Sequence, residues 1–94
     1  MTQLEKIKSL IQYLPKKDIP IANKLIENRE YEFLLDLVVS DMERVEKYKE
    51  SNDYDDVDLG QLNALRYEVS YYLDLLYPDD VRSYEEYYRT ITRY

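Results

Sequence analysis

Apolar residues recur along this chain at the three- and four-residue spacing of amphipathic helices. The first stripe consists of Leu4, Ile7, Ile11 and Leu14. Thr2 and Glu5 have the spacing of a capping box, in which the hydroxyl and the carboxylate each bind a free backbone N–H at a helix start. The pattern therefore predicts a first helix over residues 2–14, which ends at Pro15.

A short second helix is predicted over residues 18–27. Asp18 is expected to cap it, and Pro20 falls in its first turn, where the missing N–H of proline costs nothing. Its stripe consists of Ile19, Ala22 and Ile26. Asn28 is the predicted break, although residues 27–30 also fit a continuing helix.

The third helix, predicted over residues 30–49, has the most regular apolar pattern in the chain. One face carries Tyr31, Leu34, Leu35, Val38, Met42 and Val45. Phe33 and Leu37 fall roughly on the other side. The first half of this helix is therefore expected to be enclosed by its neighbours.

Residues 51–58 have no apolar period and are predicted to be a loop. Asp58, with a glutamine three residues later, predicts the capped start of a fourth helix over residues 59–77. Pro78 interrupts that helix, and a fifth is predicted over residues 79–92. The stripe of the fifth helix consists of Val81, Tyr84, Tyr88 and Ile91.

The predicted fold class is all-α, a single compact bundle of four to five helices in one domain over residues 1–94. A chain of 94 residues has one glycine and three prolines, so it offers few sharp turns. A β-sandwich or barrel needs a turn every ~8–12 residues, whereas a bundle of long helices needs only three or four. Folding at this length buries about 60–65% of the unfolded surface around one core.

The fourth helix carries two apolar stripes on opposite sides. One consists of Leu62, Leu65, Val69, Leu73 and Leu76, and the other of Ala64, Tyr67, Tyr71 and Leu75. Arg66, Ser70 and Asp74 separate them on one flank. Either the helix is central, packed by the third and fifth helices, or the tyrosine stripe meets a second copy or another protein. Tyrosine suits an interface because it combines a large apolar area with a polar tip.

The negative charge is concentrated in the second half of the chain. The net charge is −7, and residues 51–94 hold ten acids against four arginines. Such a charge repels nucleic acid and anionic lipid and attracts basic proteins. The predicted partner-binding residues are Asp53, Tyr54, Asp55, Asp56, Tyr67, Tyr71, Leu75, Asp79 and Asp80.

The composition removes the commonest tools of catalysis. Cysteine and histidine are both absent, which excludes thiolate metal sites, thiol nucleophiles and imidazole bases. The acidic run from Asp53 does not fit a calcium-binding EF-hand loop, because Ala64 falls where a bidentate glutamate is required. No catalytic residue, cofactor or metal is therefore expected. The first residues lack a signal-peptide pattern, and a cytoplasmic protein is expected.

These patterns favour a small acidic protein-binding module, regulatory or inhibitory, that acts stoichiometrically on a basic protein partner. Direct nucleic-acid binding and membrane association are not expected. Two alternatives stay open. One is a dimer that self-associates through the tyrosine stripe, and the other is a nucleic-acid-mimicking inhibitor of the phage or mobile-element type.

Overall fold

The computed structural model describes residues 2–48 and 57–77. Within these ranges the chain forms four α-helices, α1 (Gln3–Leu10), α2 (Ile19–Glu27), α3 (Tyr31–Lys47) and α4 (Leu59–Leu76). Short 3₁₀ turns at Ile11–Tyr13 and Lys16–Asp18 join α1 to α2. The all-α bundle predicted from the apolar spacing is confirmed. The fifth helix predicted over residues 79–92 lies outside the described residues.

The capping box predicted at the start of α1 is confirmed. The backbone N–H of Glu5 donates to the Thr2 hydroxyl at 3.1 Å, and the Thr2 N–H donates to the Glu5 carboxylate at 3.4 Å. The α-helix then ends at Leu10, earlier than predicted, and the chain tightens into the 3₁₀ turn. Leu14 is extended, the conformation that a following proline favours.

Asp58 caps α4, as predicted. Its carboxylate accepts from the backbone N–H of Gly60 at 2.9 Å and from that of Gln61 at 3.3 Å. These bonds satisfy two of the N–H groups that a helix start leaves without intrahelical partners. They stabilise the first turn of α4.

We expect Asp58→Ala to lower the free energy of unfolding by about 1 kcal/mol, because the first-turn N–H groups of α4 lose their acceptor. Asp58→Asn is the matched control, since asparagine caps a helix as well as aspartate does. Urea denaturation of the three proteins measures the difference. Equal stability of Asp58→Ala and Asp58→Asn would show that this cap contributes nothing.

The core lies where α3 packs against α4, with α1 against α4 and α2 against α3. Its fully enclosed side chains include Ile7, Ala22, Leu34, Leu35, Val38, Leu62, Leu65, Val69 and Leu73. At its edge the rings of Tyr31 and Tyr72 meet edge to face, with centroids 5.0 Å apart. The first of the two α4 stripes therefore forms the core through Leu62, Leu65, Val69 and Leu73, whereas its last member, Leu76, is 42% exposed.

The turn between α2 and α3 is a sharp reversal. Asn28 ends α2, and Arg29 adopts a left-handed backbone with φ of 59°. The Glu30 N–H then donates back to the carbonyl of Leu25 at 2.8 Å, which satisfies a free acceptor at the helix end. This confirms the break predicted at Asn28 rather than a continuing helix.

The enclosure predicted for the first half of α3 is wrong on one side. Leu37 is half-buried, but Phe33 is 60% exposed. Leu34, Leu35 and Val38 are fully buried on α3, and Phe33 lies on a different side of the helix from these three. Among residues 2–48 and 57–77, no helix combines the length and the apolar character needed to cross a bilayer.

Candidate functional site

The outer side of α4 carries Tyr67, Tyr71 and Leu75, which we call the tyrosine face. Their side chains are 55%, 47% and 54% exposed. Tyr71 follows the fully buried Val69 by two residues, which is about 200° of rotation around the helix. The tyrosine face therefore points away from the core that the opposite side of α4 builds.

The polar side chains around Tyr67 are held by hydrogen bonds. The Gln3 amide of α1 donates to the Glu68 carboxylate at 3.1 Å and to its backbone carbonyl at 3.0 Å. The Arg66 guanidinium donates to the side-chain carbonyl of Asn63 through two nitrogens, at 3.1 and 2.9 Å. Because these groups are already ordered, a molecule that docks beside Tyr67 loses less entropy than it would against free side chains.

An open cleft of about 460 Å³ runs between α1 and α4 and reaches the tyrosine face. It is lined by Lys6, Ser9 and Leu10 from α1 and by Asn63, Ala64, Arg66, Tyr67 and Glu68 from α4. Tyr67 belongs to both the cleft and the face. The exposed side of α4 is therefore continuous with a concave surface that a partner side chain can enter.

Ser70 does not separate the two stripes as the sequence suggested. It is fully buried, and its hydroxyl has no hydrogen-bond partner among the described residues. The buried side of α4 therefore includes Ser70, although serine is a polar residue. The exposed part of the helix is correspondingly narrower and centred on Tyr71.

A smaller cleft of about 200 Å³ lies where the α2–α3 turn approaches the end of α4. Phe33 and Tyr77 line it and are both partly exposed, and Tyr31 closes its inner side. Burial and the neighbouring Tyr72 raise the pKa of Tyr31. Tyr31 therefore stays neutral throughout the physiological range.

Two carboxyl groups, those of Asp18 and Asp41, meet inside the bundle. Asp41 is fully buried and Asp18 is 7% exposed. Asp41 Oδ1 accepts from Arg44 Nη1 at 2.9 Å, and Asp18 is its neighbouring acid. Burial and the adjacent Asp18 raise the pKa of Asp41 to about 7, against the opposing effect of Arg44.

The capping role predicted for Asp18 is wrong. Asp18 directly precedes α2, but its side chain makes no capping bond. A capping side chain needs an extended backbone at its own residue, whereas the 3₁₀ turn holds Asp18 at φ −97° and ψ −11°. Its carboxyl is directed to Asp41 instead.

The sequence holds a signal for this pair that apolar periodicity alone does not show. Asp41 stands three residues after Val38 and four before Val45, on the buried stripe of α3. Asp18 likewise stands four residues before the buried Ala22. An acid at a stripe position is a candidate for burial. Within the described ranges, no group of three or more acids is placed to hold a metal ion.

The predicted partner-binding residues divide into two groups. Tyr67, Tyr71 and Leu75 lie together on the exposed side of α4. The remaining six lie outside the described residues, and these are Asp53, Tyr54, Asp55, Asp56, Asp79 and Asp80. Comparison of the chain with protein-family models, with curated protein sequences and with solved structures finds no match.

Proposed function

We propose that this chain is a protein-binding module that uses the tyrosine face of α4 to hold a basic protein partner, as a stoichiometric regulator or inhibitor. One observation carries the proposal. Tyr67, Tyr71 and Leu75 stand about half exposed in a row, on a helix whose opposite side buries Leu62, Leu65, Val69 and Leu73 completely. The proposed location is the cytoplasm.

The residue types on this face favour recognition. Buried tyrosines are enriched among the few interface residues whose truncation costs about 2 kcal/mol or more. A tyrosine side chain fixes a large apolar area with few rotatable bonds and keeps a hydroxyl for a hydrogen bond. The adjoining cleft at Tyr67 and the ordered Glu68 add shape and polarity to the same surface.

Charge favours a basic partner. Residues 57–77 carry three acids, Asp58, Glu68 and Asp74, against Arg66, and the whole chain carries −7. A negative surface accelerates encounter with a positive one and disfavours acidic competitors. Binding should therefore weaken as ionic strength rises, because salt screens exposed charges.

The test compares two tyrosine-to-serine variants of the full chain. Tyr71→Ser removes the centre of the tyrosine face, whereas Tyr13→Ser makes the same change at an exposed tyrosine beyond α1. Once pull-down at low salt yields a partner, we expect Tyr71→Ser to weaken its Kd by about 30-fold, which corresponds to about 2 kcal/mol. Tyr13→Ser should leave the Kd within about twofold, as expected outside a hot spot.

Calorimetry with the purified partner measures these Kd values. Equal weakening by Tyr71→Ser and Tyr13→Ser would remove the tyrosine face from the binding site. A partner of acidic rather than basic charge would contradict the electrostatic part of the proposal.

The same exposed face favours a second candidate, a homodimer made through Tyr67, Tyr71 and Leu75. Sedimentation across a concentration series separates the two. A heterotypic binder stays monomeric on its own, whereas a dimer through this face dissociates in Tyr71→Ser and not in Tyr13→Ser. The nucleic-acid-mimic alternative depends on acids outside the described residues, and competition with DNA for the captured partner tests it.

A further inference from the structure

Asp18 and Asp41 bring two carboxyl groups into the interior from separate elements. Asp18 precedes α2 and Asp41 lies in α3, so their contact spans the packing of these two helices. Oδ2 of each residue is buried and accepts no hydrogen bond from any N–H or O–H group of the described chain. Two adjacent buried anions with unsatisfied oxygens would repel each other and lose hydration without replacement.

The cation Arg44 opposes this pair. Arg44 Nη1 lies 2.9 Å from Asp41 Oδ1, and the Arg44 side chain is 45% exposed. One partly hydrated guanidinium compensates for one carboxylate. A proton held by the pair would remove the second charge and supply an O–H donor between the two carboxyls.

We propose that Asp18 and Asp41 share one proton in the folded chain, and that this proton makes the packing of α2 on α3 a pH-sensitive device. The pair is stable when it carries one negative charge beside Arg44. Loss of the shared proton creates two buried charges at the contact and loosens it.

The direction of the pH effect follows from the pKa of Asp41. Burial and Asp18 raise that pKa from its ordinary value of 3.8 to about 7. Between these values the folded chain holds a proton that the unfolded chain releases, so stability from this pair falls as pH rises from about 4 to about 7. Above about pH 7 both states are deprotonated and this contribution is constant.

Within residues 2–48 and 57–77, the charged groups that act on Asp41 come from two elements. Asp18, before α2, raises its pKa, and Arg44, one turn along α3, lowers it. The buried positions of α4, which also packs on α3, are apolar apart from Ser70. The pH response therefore depends on the two aspartates and one arginine.

Carboxyl ¹³C NMR of the full chain tests the shared proton directly. We expect one aspartate side-chain resonance to titrate near pH 7 instead of near pH 4, and to be missing from Asp41→Asn. If every aspartate carboxyl titrates below pH 5, the pair holds no proton near neutrality and the proposal is wrong.

Urea denaturation at pH 5, 6, 7 and 8 tests the consequence for stability. The wild-type midpoint should fall from pH 5 to pH 7, and Asp41→Asn, whose amide imitates the protonated carboxyl, should flatten that fall. Glu46→Gln, at an exposed acid on the same helix, should keep the wild-type slope. Should Asp41→Asn not fold, Asp18→Asn provides the same test from the other carboxyl. A folded variant of either aspartate with the wild-type slope would overturn the proposal.

Discussion

Leu65→Ala is expected to lower the free energy of unfolding by about 2–5 kcal/mol, and Leu75→Ala by less than about 0.5 kcal/mol. Both changes remove the same atoms from the same helix. Leu65 is fully buried between the helices, so truncation leaves a cavity as well as losing apolar burial. Leu75 is 54% exposed, and its truncation leaves no enclosed void.

Urea denaturation of the two variants, with far-UV circular dichroism to confirm their helix content, measures the difference. The comparison assigns the two stripes of α4 to different roles without requiring a partner. A loss at Leu75 as large as that at Leu65 would show that the outer stripe is packed in solution. It would also remove the basis of the tyrosine face as a free surface.

Arg44→Met is expected to lower the free energy of unfolding by about 1–3 kcal/mol at pH 8, and by less at pH 5.5. Removing one partner of a fully buried ion pair costs about 3–5 kcal/mol, and the partial exposure of Arg44 reduces this figure. Methionine keeps the apolar part of the side chain, so the change isolates the charge. Without the guanidinium the pKa of Asp41 rises further, because Arg44 is the group that lowers it.

Denaturation midpoints across pH 5–9 provide the check, with Arg44→Lys as the control that retains a cation. The contribution of the carboxyl pair should level off above about pH 7 in the wild type, and should continue to fall in Arg44→Met. A loss in Arg44→Met that is the same at pH 5.5 and pH 8 would mean that the guanidinium acts by packing alone.

The helices were predictable from sequence because their signals are local. Apolar spacing marks α3 over nearly the whole of its range, and the side chains of Thr2 and Asp58 bond to N–H groups two or three residues away. The change from α to 3₁₀ bonding after Leu10 was missed, since the apolar spacing continues through Ile11 and Leu14. Periodicity records which face is apolar and not how tightly the backbone is wound.

The buried carboxyl pair was not predicted because its two residues lie far apart in the chain. Asp18 has the sequence context of a helix cap, and Asp41 resembles any acid on a long helix. Only the packing of α2 on α3 brings the two together. The predicted enclosure of Phe33 was wrong for a related reason. An apolar residue is buried only where a neighbouring element covers it.

The sequence predicted the residues of the candidate site but not their surroundings in the fold. Residue spacing alone places Tyr67, Tyr71 and Leu75 in one row on α4. Tertiary packing decides which of the two stripes faces the core. Leu65 and Val69 are fully buried, so this is the side of the first stripe. The cleft beside Tyr67 depends on the position of α1, which no local pattern fixes.

Photocrosslinking from the tyrosine face tests the proposed function most directly. The full chain would carry benzoylphenylalanine in place of Tyr71, with the same replacement at exposed Glu46 of α3 as the control. We predict a single adduct in the source lysate between the Tyr71 position and one basic protein. Excess wild-type chain should abolish that adduct, whereas excess Tyr67→Ser chain should compete less well. Adducts only within the chain, only with a second copy, or equally from the Glu46 position would contradict the account.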